Sequence, residues 1–131
     1  MNQIIIASHG SLALGMKKTV EFFGGTNIEY IEQTMTDTGF NNNAKEMLEK
    51  YKEYNCIVFT DLYGGSVNQC FYRLLNDYSF HLVTGMNLAV IMECVFASQD
   101  IDDEFIRNAI QLSKSQFTYM NDINLSDDDD D

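Results

Sequence analysis

A chain of 131 residues, 45% of them apolar, can bury one hydrophobic core and does not need a second domain. It has no proline and no tryptophan, which excludes proline-rich linkers, and its longest apolar runs are strand-sized, far short of the ~20 residues of a membrane span. The net charge of -12, which includes five consecutive aspartates at residues 127–131, disfavours nucleic-acid binding and favours, by electrostatic steering, a basic protein partner.

In chain order, residues 3–8 predict an apolar first strand that delivers His9 onto a Gly10-Ser11 turn. No basic leader region or cleavage site precedes it, so a cytoplasmic location is expected. Leu12, Met16, Val20 and Phe23 then recur at helical spacing and are stopped by Gly24-Gly25. Residues 28–33 predict a second, weaker strand. Ala44, Met47, Leu48 and Tyr51 share one face of an amphipathic helix. Residues 56–61 are almost wholly apolar, the mark of a central strand buried on both faces. After the Gly64-Gly65 turn, Val67, Cys70, Phe71, Leu74 and Leu75 mark a helix. Residues 80–84 predict a fourth strand ending at Gly85, and residues 88–98 and 103–113 two further helices. Phe117, Thr118 and Tyr119 favour extended structure, so residues 116–120 are expected to form a short fifth strand. Residues 1–122 are read as one domain and residues 123–131 as an acidic, disordered tail. Cys56, Cys70 and Cys94 match no metal-ligand spacing and, being odd in number, no disulfide framework; buried thiols are expected.

The alternation of apolar strands and helices predicts an α/β fold: a doubly wound, mostly parallel sheet of order 2-1-3-4 with helices on both faces. Strands one and three are then neighbours, and the chain winds away from them in opposite directions, opening a crevice at their C-terminal ends. His9 and Asp61 are expected to face each other across it. A carboxylate that accepts the Nδ1–H fixes the imidazole tautomer and leaves Nε2 as a nucleophile. Gly64, Gly65 and Ser66 lead into a helix whose unpaired N–H groups favour an anion, with Ser66 as its N-cap and a further hydroxyl donor; Gly10 and Ser11 open the helix on the other side. These features point to a histidine that carries a phosphoryl group, with His9 and Asp61 catalytic and Gly10, Gly64, Gly65 and Ser66 binding the phosphoryl oxygens. His81 lies in the fourth strand without a partner at the rim and reads as a packed or edge histidine. Gly85, Met86 and Asn87 are expected to line the pocket without chemistry. One carboxylate where a metal would need several predicts no metal, and no cofactor is expected.

The segments Ser8-His9-Gly10, Leu12-Ala13-Leu14-Gly15, Asp61-Leu62-Tyr63-Gly64-Gly65-Ser66 and Thr84-Gly85-Met86-Asn87-Leu88 resemble, in this order, the mannose-family IIA component of the bacterial sugar phosphotransferase system. The family often carries proline where this chain has Val67. The resemblance implies that His9 accepts a phosphoryl group from the phosphocarrier HPr and passes it to a IIB component, which phosphorylates a sugar entering through a membrane IIC/IID complex. It implies that Asp61 orients His9 and that the Gly64-Gly65-Ser66 turn holds the phosphoryl group. It further implies a homodimer in which an antiparallel C-terminal strand is exchanged, and a IIA polypeptide without a fused IIB segment.

Two other readings compete. A related IIA-like subunit donates phosphoryl groups to dihydroxyacetone kinase, and only the acceptor separates it from a sugar-transport protein. A receiver domain shares the coarse topology and would place its phosphorylated aspartate at Asp61. It needs an acidic pair after the first strand and a basic residue after the fourth, whereas this chain has Ser8-His9 and no lysine there. A nucleotide or flavin module is disfavoured because the first turn is not a glycine-rich phosphate cradle.

Overall fold

The computed structural model describes residues 1–35 and 38–124. Strands and helices alternate as β1 (Asn2–His9), α1 (Leu12–Phe22), β2 (Ile28–Gln33), α2 (Phe40–Lys50), β3 (Asn55–Thr60), α3 (Ser66–Leu74) and β4 (His81–Thr84). Two helices follow, α4 (Leu88–Val95) and α5 (Asp103–Lys114), and then a short 3-10 turn at Met120–Asp122. All three strand pairings are parallel and the order is β2-β1-β3-β4, the doubly wound sheet expected from the sequence.

β1 is apolar without alternation because helices cover both of its faces. Ile4 and Ile6 pack on one side with Ala13 and Val20 of α1, Val90, Ile91 and Cys94 of α4, and Ile106 of α5. Ile5 and Ala7 pack on the other with Ala44 and Leu48 of α2 and Val67, Cys70 and Phe71 of α3. Each fully buried Ile, Val or Phe contributes about 1.5–3 kcal/mol relative to exposure. That burial fixes the register: Ile4 lies opposite Ile57 and Ala7 opposite Thr60. On the other side of β1, His9 lies opposite Gln33. The ends of β1, β2 and β3 therefore meet at one rim, and a one-residue slip would turn every buried side chain of β1 to the wrong face.

Several expectations need correction. β1 begins at Asn2 and ends at His9, one residue beyond residues 3–8 on each side, and α4 stops at Val95 instead of residue 98. Residues 116–120 do not form a strand. The N–H groups of Gln116 and Phe117 bond back to the carbonyls of Ser113 and Lys114, finishing α5 with a turn, and Phe117, Tyr119 and Met120 are exposed. Strand propensity yields a strand only where the segment pairs with a neighbouring edge, and residues 116–120 pair with none of the four described strands. His81 is the first residue of β4 and stands 3.6 Å from the carboxylate of Asp103 at the pole away from the rim. The acidic tail lies, from residue 125 onward, outside the described residues. Cys56, Cys70 and Cys94 are free and buried, and burial pushes the Cys56 thiol up to about 11 and that of Cys94 to about 12. Among the described residues, no helix is long and apolar enough to cross a membrane.

Candidate active site

The site begins where β1 ends. Gly10 adopts φ 61°, a left-handed conformation that glycine takes without strain, and turns the chain toward α1. Its N–H donates to the carbonyl of Gln33 at 2.8 Å, which ties this turn to β2. The hydroxyl of Ser8, wholly buried, accepts from the Ala13 N–H at 2.7 Å and donates to the Gly10 carbonyl at 3.1 Å. Ser11, at the N-cap of α1, makes no side-chain cap bond, so Ser8 does that work.

Asp61 follows β3 directly. One of its oxygens, Oδ2, accepts from the His9 backbone N–H at 2.9 Å and lies 2.9 Å from His9 Nδ1, while Oδ1 accepts from the Leu62 N–H at 3.0 Å. The Asp61 side chain is 7% exposed and that of His9 39%, so the carboxylate is sealed in while the ring remains reachable. Burial works against the charge on Asp61, but the backbone and ring N–H groups of His9 outweigh it, and the carboxyl titrates below its ordinary value. An ionised carboxylate can only accept, so Nδ1 carries the proton and Nε2 is the ring nitrogen directed at the crevice.

His9 Nε2 lies 3.0 Å from Ser66 Oγ, and that hydroxyl donates to Gln33 Oε1 at 2.7 Å. Ser66 is not the N-cap expected from the sequence. It is the first residue of α3, Gly65 is the N-cap, and no side chain caps the helix. Free of that task, the Ser66 hydroxyl bridges the imidazole and β2. Gly65 lies beneath the ring: a Cβ there would stand 3.2 Å from His9 Cε1 and 3.3 Å from the Leu62 carbonyl. Gly64 has φ 75° and supplies the left-handed step of the turn.

The sequence-predicted residues thus converge, but not with the bonding first assigned to them. The N–H groups of Gly10, Gly64 and Gly65 are all engaged, with the Gln33 carbonyl, Asn68 Oδ1 (3.1 Å) and the Leu62 carbonyl (3.0 Å). Within α3, the N–H groups without a helical acceptor are those of Ser66, Val67 and Asn68, the first helical bond being that of Gln69 to the Gly65 carbonyl. Thr60 turns away, bonding Thr84 Oγ1 and Asn68 Nδ2. Asn87, expected at the rim without chemistry, caps α4, its Oδ1 accepting from the Val90 N–H at 3.0 Å. Gln33 is the member that the sequence reading missed. The available signal was a polar residue closing the second strand, level with His9 once the 2-1-3-4 order is assumed. Among the described residues, no three His, Cys, Asp or Glu side chains gather as a metal site.

A family model described as the PTS system fructose IIA component (EIIA-man) matches residues 3–111. Among solved structures, the chain is similar to a candidate phosphoenolpyruvate-dependent sugar phosphotransferase permease from Klebsiella pneumoniae. The identity is 29%, 92% of each chain is covered and the TM-score is 0.81. The fold is also that of the mannose/sorbose specific IIA subunit from Enterococcus faecalis, at 22% identity, with 95% of this chain and 96% of that one covered and a TM-score of 0.84. A phosphotransferase component EIIA from Streptococcus agalactiae gives 22% identity, coverage of 94% and 100%, and a TM-score of 0.79. No curated protein matches. Matched over most of its length by that family model, and built around the same sheet, the chain belongs to the fructose/mannose-type IIA components of the phosphotransferase system.

Proposed function

We propose that this chain is a phosphoryl carrier that accepts phosphate from HPr on His9 Nε2 and passes it to a IIB component, feeding sugar uptake through a membrane IIC/IID complex. One observation carries the reading: Asp61 Oδ2 within 2.9 Å of Nδ1, with Nε2 on the other side of a part-exposed ring, beside the Ser66 hydroxyl. In the transfer, the Nε2 lone pair attacks phosphorus and an Nε2–P bond forms. The bond from phosphorus to the donor atom breaks, its electron pair remaining on the donor. The ring then bears positive charge while Nδ1 keeps its proton, and the ionised Asp61 offsets that charge from 2.9 Å. Because no proton has to leave Nδ1, the site needs no separate base.

The phosphoryl oxygens would meet the open N–H groups of Ser66 and Val67 and the Ser66 hydroxyl, at a helix N-terminus whose dipole adds about 0.3–1 kcal/mol toward an anion. Gly65 permits close approach, and Gly10 and Gly64 shape the turns rather than donate. The same contacts serve the onward step to IIB, which is the reverse displacement with a different partner. A cytoplasmic, cofactor-free protein fits this chemistry, and so does a homodimer in which residues 116–120 pair with the open edge of β4 in a second copy. The test is incubation with the general phosphotransferase proteins, followed by mass spectrometry under conditions that preserve phosphohistidine. Phosphate on His9 is expected, and none in His9→Ala; transfer to His9→Ala at the wild-type rate would overturn the scheme. Supplying the phosphorylated protein with IIB or with dihydroxyacetone kinase then identifies the acceptor.

A further inference from the structure

We propose that Gln33 is a positioning residue for this site: its side-chain amide sets which way the single proton of the Ser66 hydroxyl points, and with it whether His9 Nε2 meets a donor or a lone pair. The inference rests on His9 being the residue that takes the phosphoryl group.

Proton counting carries it. Ser66 Oγ touches two partners, His9 Nε2 at 3.0 Å and Gln33 Oε1 at 2.7 Å, and has one hydrogen to give. While that hydrogen goes to Gln33, the oxygen offers Nε2 only lone pairs, an arrangement that suits a ring protonated on both nitrogens. A nucleophilic ring has a bare Nε2, and Ser66 must then turn its hydrogen toward Nε2 or, as transfer proceeds, toward a phosphoryl oxygen. A glutamine amide accommodates both states. It accepts through Oε1 in one orientation and, turned over, donates through Nε2 to the Ser66 oxygen in the other. A carboxylate could only accept, and an apolar side chain could do neither.

The backbone holds Gln33 in place for this work. It closes β2 opposite His9, and its carbonyl accepts the Gly10 N–H at 2.8 Å, so the residue grips the end of β1 with its main chain while its side chain reaches Ser66. Other charges around the ring do not duplicate the effect. Asp61 bonds the opposite nitrogen, neither α1 nor α3 has an acidic residue in its first turn, and Glu32 alternates to the other face of β2.

The test uses the 131-residue chain in five forms: wild type, Gln33→Met, Gln33→Glu, Ser66→Ala, and Gln33→Met combined with Ser66→Ala. The ring titration of His9 is followed in the unphosphorylated protein by the nitrogen-15 resonance of Nε2, alongside the rate of phosphoryl acceptance from phosphorylated HPr. With Met, the Ser66 hydrogen is released toward Nε2 and the titration moves to lower pH. With Glu, the hydrogen is held away and the titration moves to higher pH. Acceptance by Gln33→Met slows about threefold to tenfold, the scale of one lost hydrogen bond. Against a Ser66→Ala reference, the Gln33→Met change should shift neither quantity, since its effect passes through the hydroxyl. Coincident titrations in wild type, Met and Glu forms overturn the proposal, as does a Met effect that persists without Ser66. Because the titration is read without phosphate, a wild-type protein that never becomes phosphorylated would sink the carrier reading separately.

Discussion

At the scale of single residues, the site rests on one oxygen atom. Asp61 Oδ2 holds the His9 main chain and the His9 ring at once, so position and tautomer are set by the same contact. Asp61→Asn should keep the fold, since the amide oxygen still accepts the backbone N–H. It should slow transfer by about tenfold to a hundredfold, the scale of a charged hydrogen bond, as measured by the rate of labelling from phosphorylated HPr. The same substitution has a signature in stability. A carboxyl whose native value lies below its ordinary 3.8 stabilises the fold fully above that pH and loses its contribution as the pH falls through the lowered native value. The wild-type urea midpoint should therefore fall more steeply below about pH 4 than that of Asp61→Asn, and parallel acid limbs would contradict it. Gly65→Ala is the complementary test: a Cβ 3.2 Å from His9 Cε1 forces the ring to give way by a few tenths of an ångström. Transfer should slow severalfold while the urea midpoint falls by no more than the cost of replacing a glycine N-cap with alanine, because the crowding falls on an open-sided ring and the Leu62 turn and not on the core. His9, Asp61, Gly65 and Ser66 were legible because strand ends and turn residues name themselves. The Ser66–Gln33 bridge was not, since a side-chain contact across β2 and α3 depends on Ser66 declining to cap its own helix, which spacing does not reveal.

At the scale of elements, legibility followed packing. Residues 28–33 and the apolar runs of β1 and β3 emerge as expected because both of their faces, or one of them, must be buried whatever the rest of the chain does. Residues 116–120 misled because their aromatic and β-branched side chains describe a preference that only a partner edge can satisfy, and the N–H groups of Gln116 and Phe117 instead bond back to carbonyls of α5. Asn87, expected at the rim without chemistry, has a task of its own: its oxygen serves the helix that follows it. Asn87→Ala should then cost about 0.5–2 kcal/mol of stability, the usual range for an N-cap. Phosphoryl acceptance should stay at the wild-type rate, and denaturant unfolding beside the labelling assay separates the two effects. A large loss of transfer with unchanged stability would place Asn87 in the site after all.

At the scale of the whole molecule, the chemistry occupies one pole of the sheet and the chain is pinned at the other. There the Met1 ammonium pairs with Asp100 at 3.0 Å, and Asn2 bonds Asn55, Gln99 and Ile101. β1 connects the two poles through the core, so His9 is held by the most deeply buried strand of the fold. The lateral edge of the sheet is less settled: β4 is its last strand, and beyond α5 the chain presents Phe117, Tyr119, Met120 and Ile123 to solvent, 94%, 67%, 66% and 42% exposed. In the proposed homodimer, this strand-favouring, uncovered segment of one copy would supply the edge partner that β4 of the other copy lacks. Full-length protein should therefore sediment as a dimer whose melting temperature rises with concentration. Replacing Phe117 and Tyr119 together by Asp, which removes the apolar contact and adds like charges at the pairing edge, should give a monomer that still accepts phosphate on His9. Equal masses for the two proteins at micromolar concentration would mean that these aromatics hold no second copy.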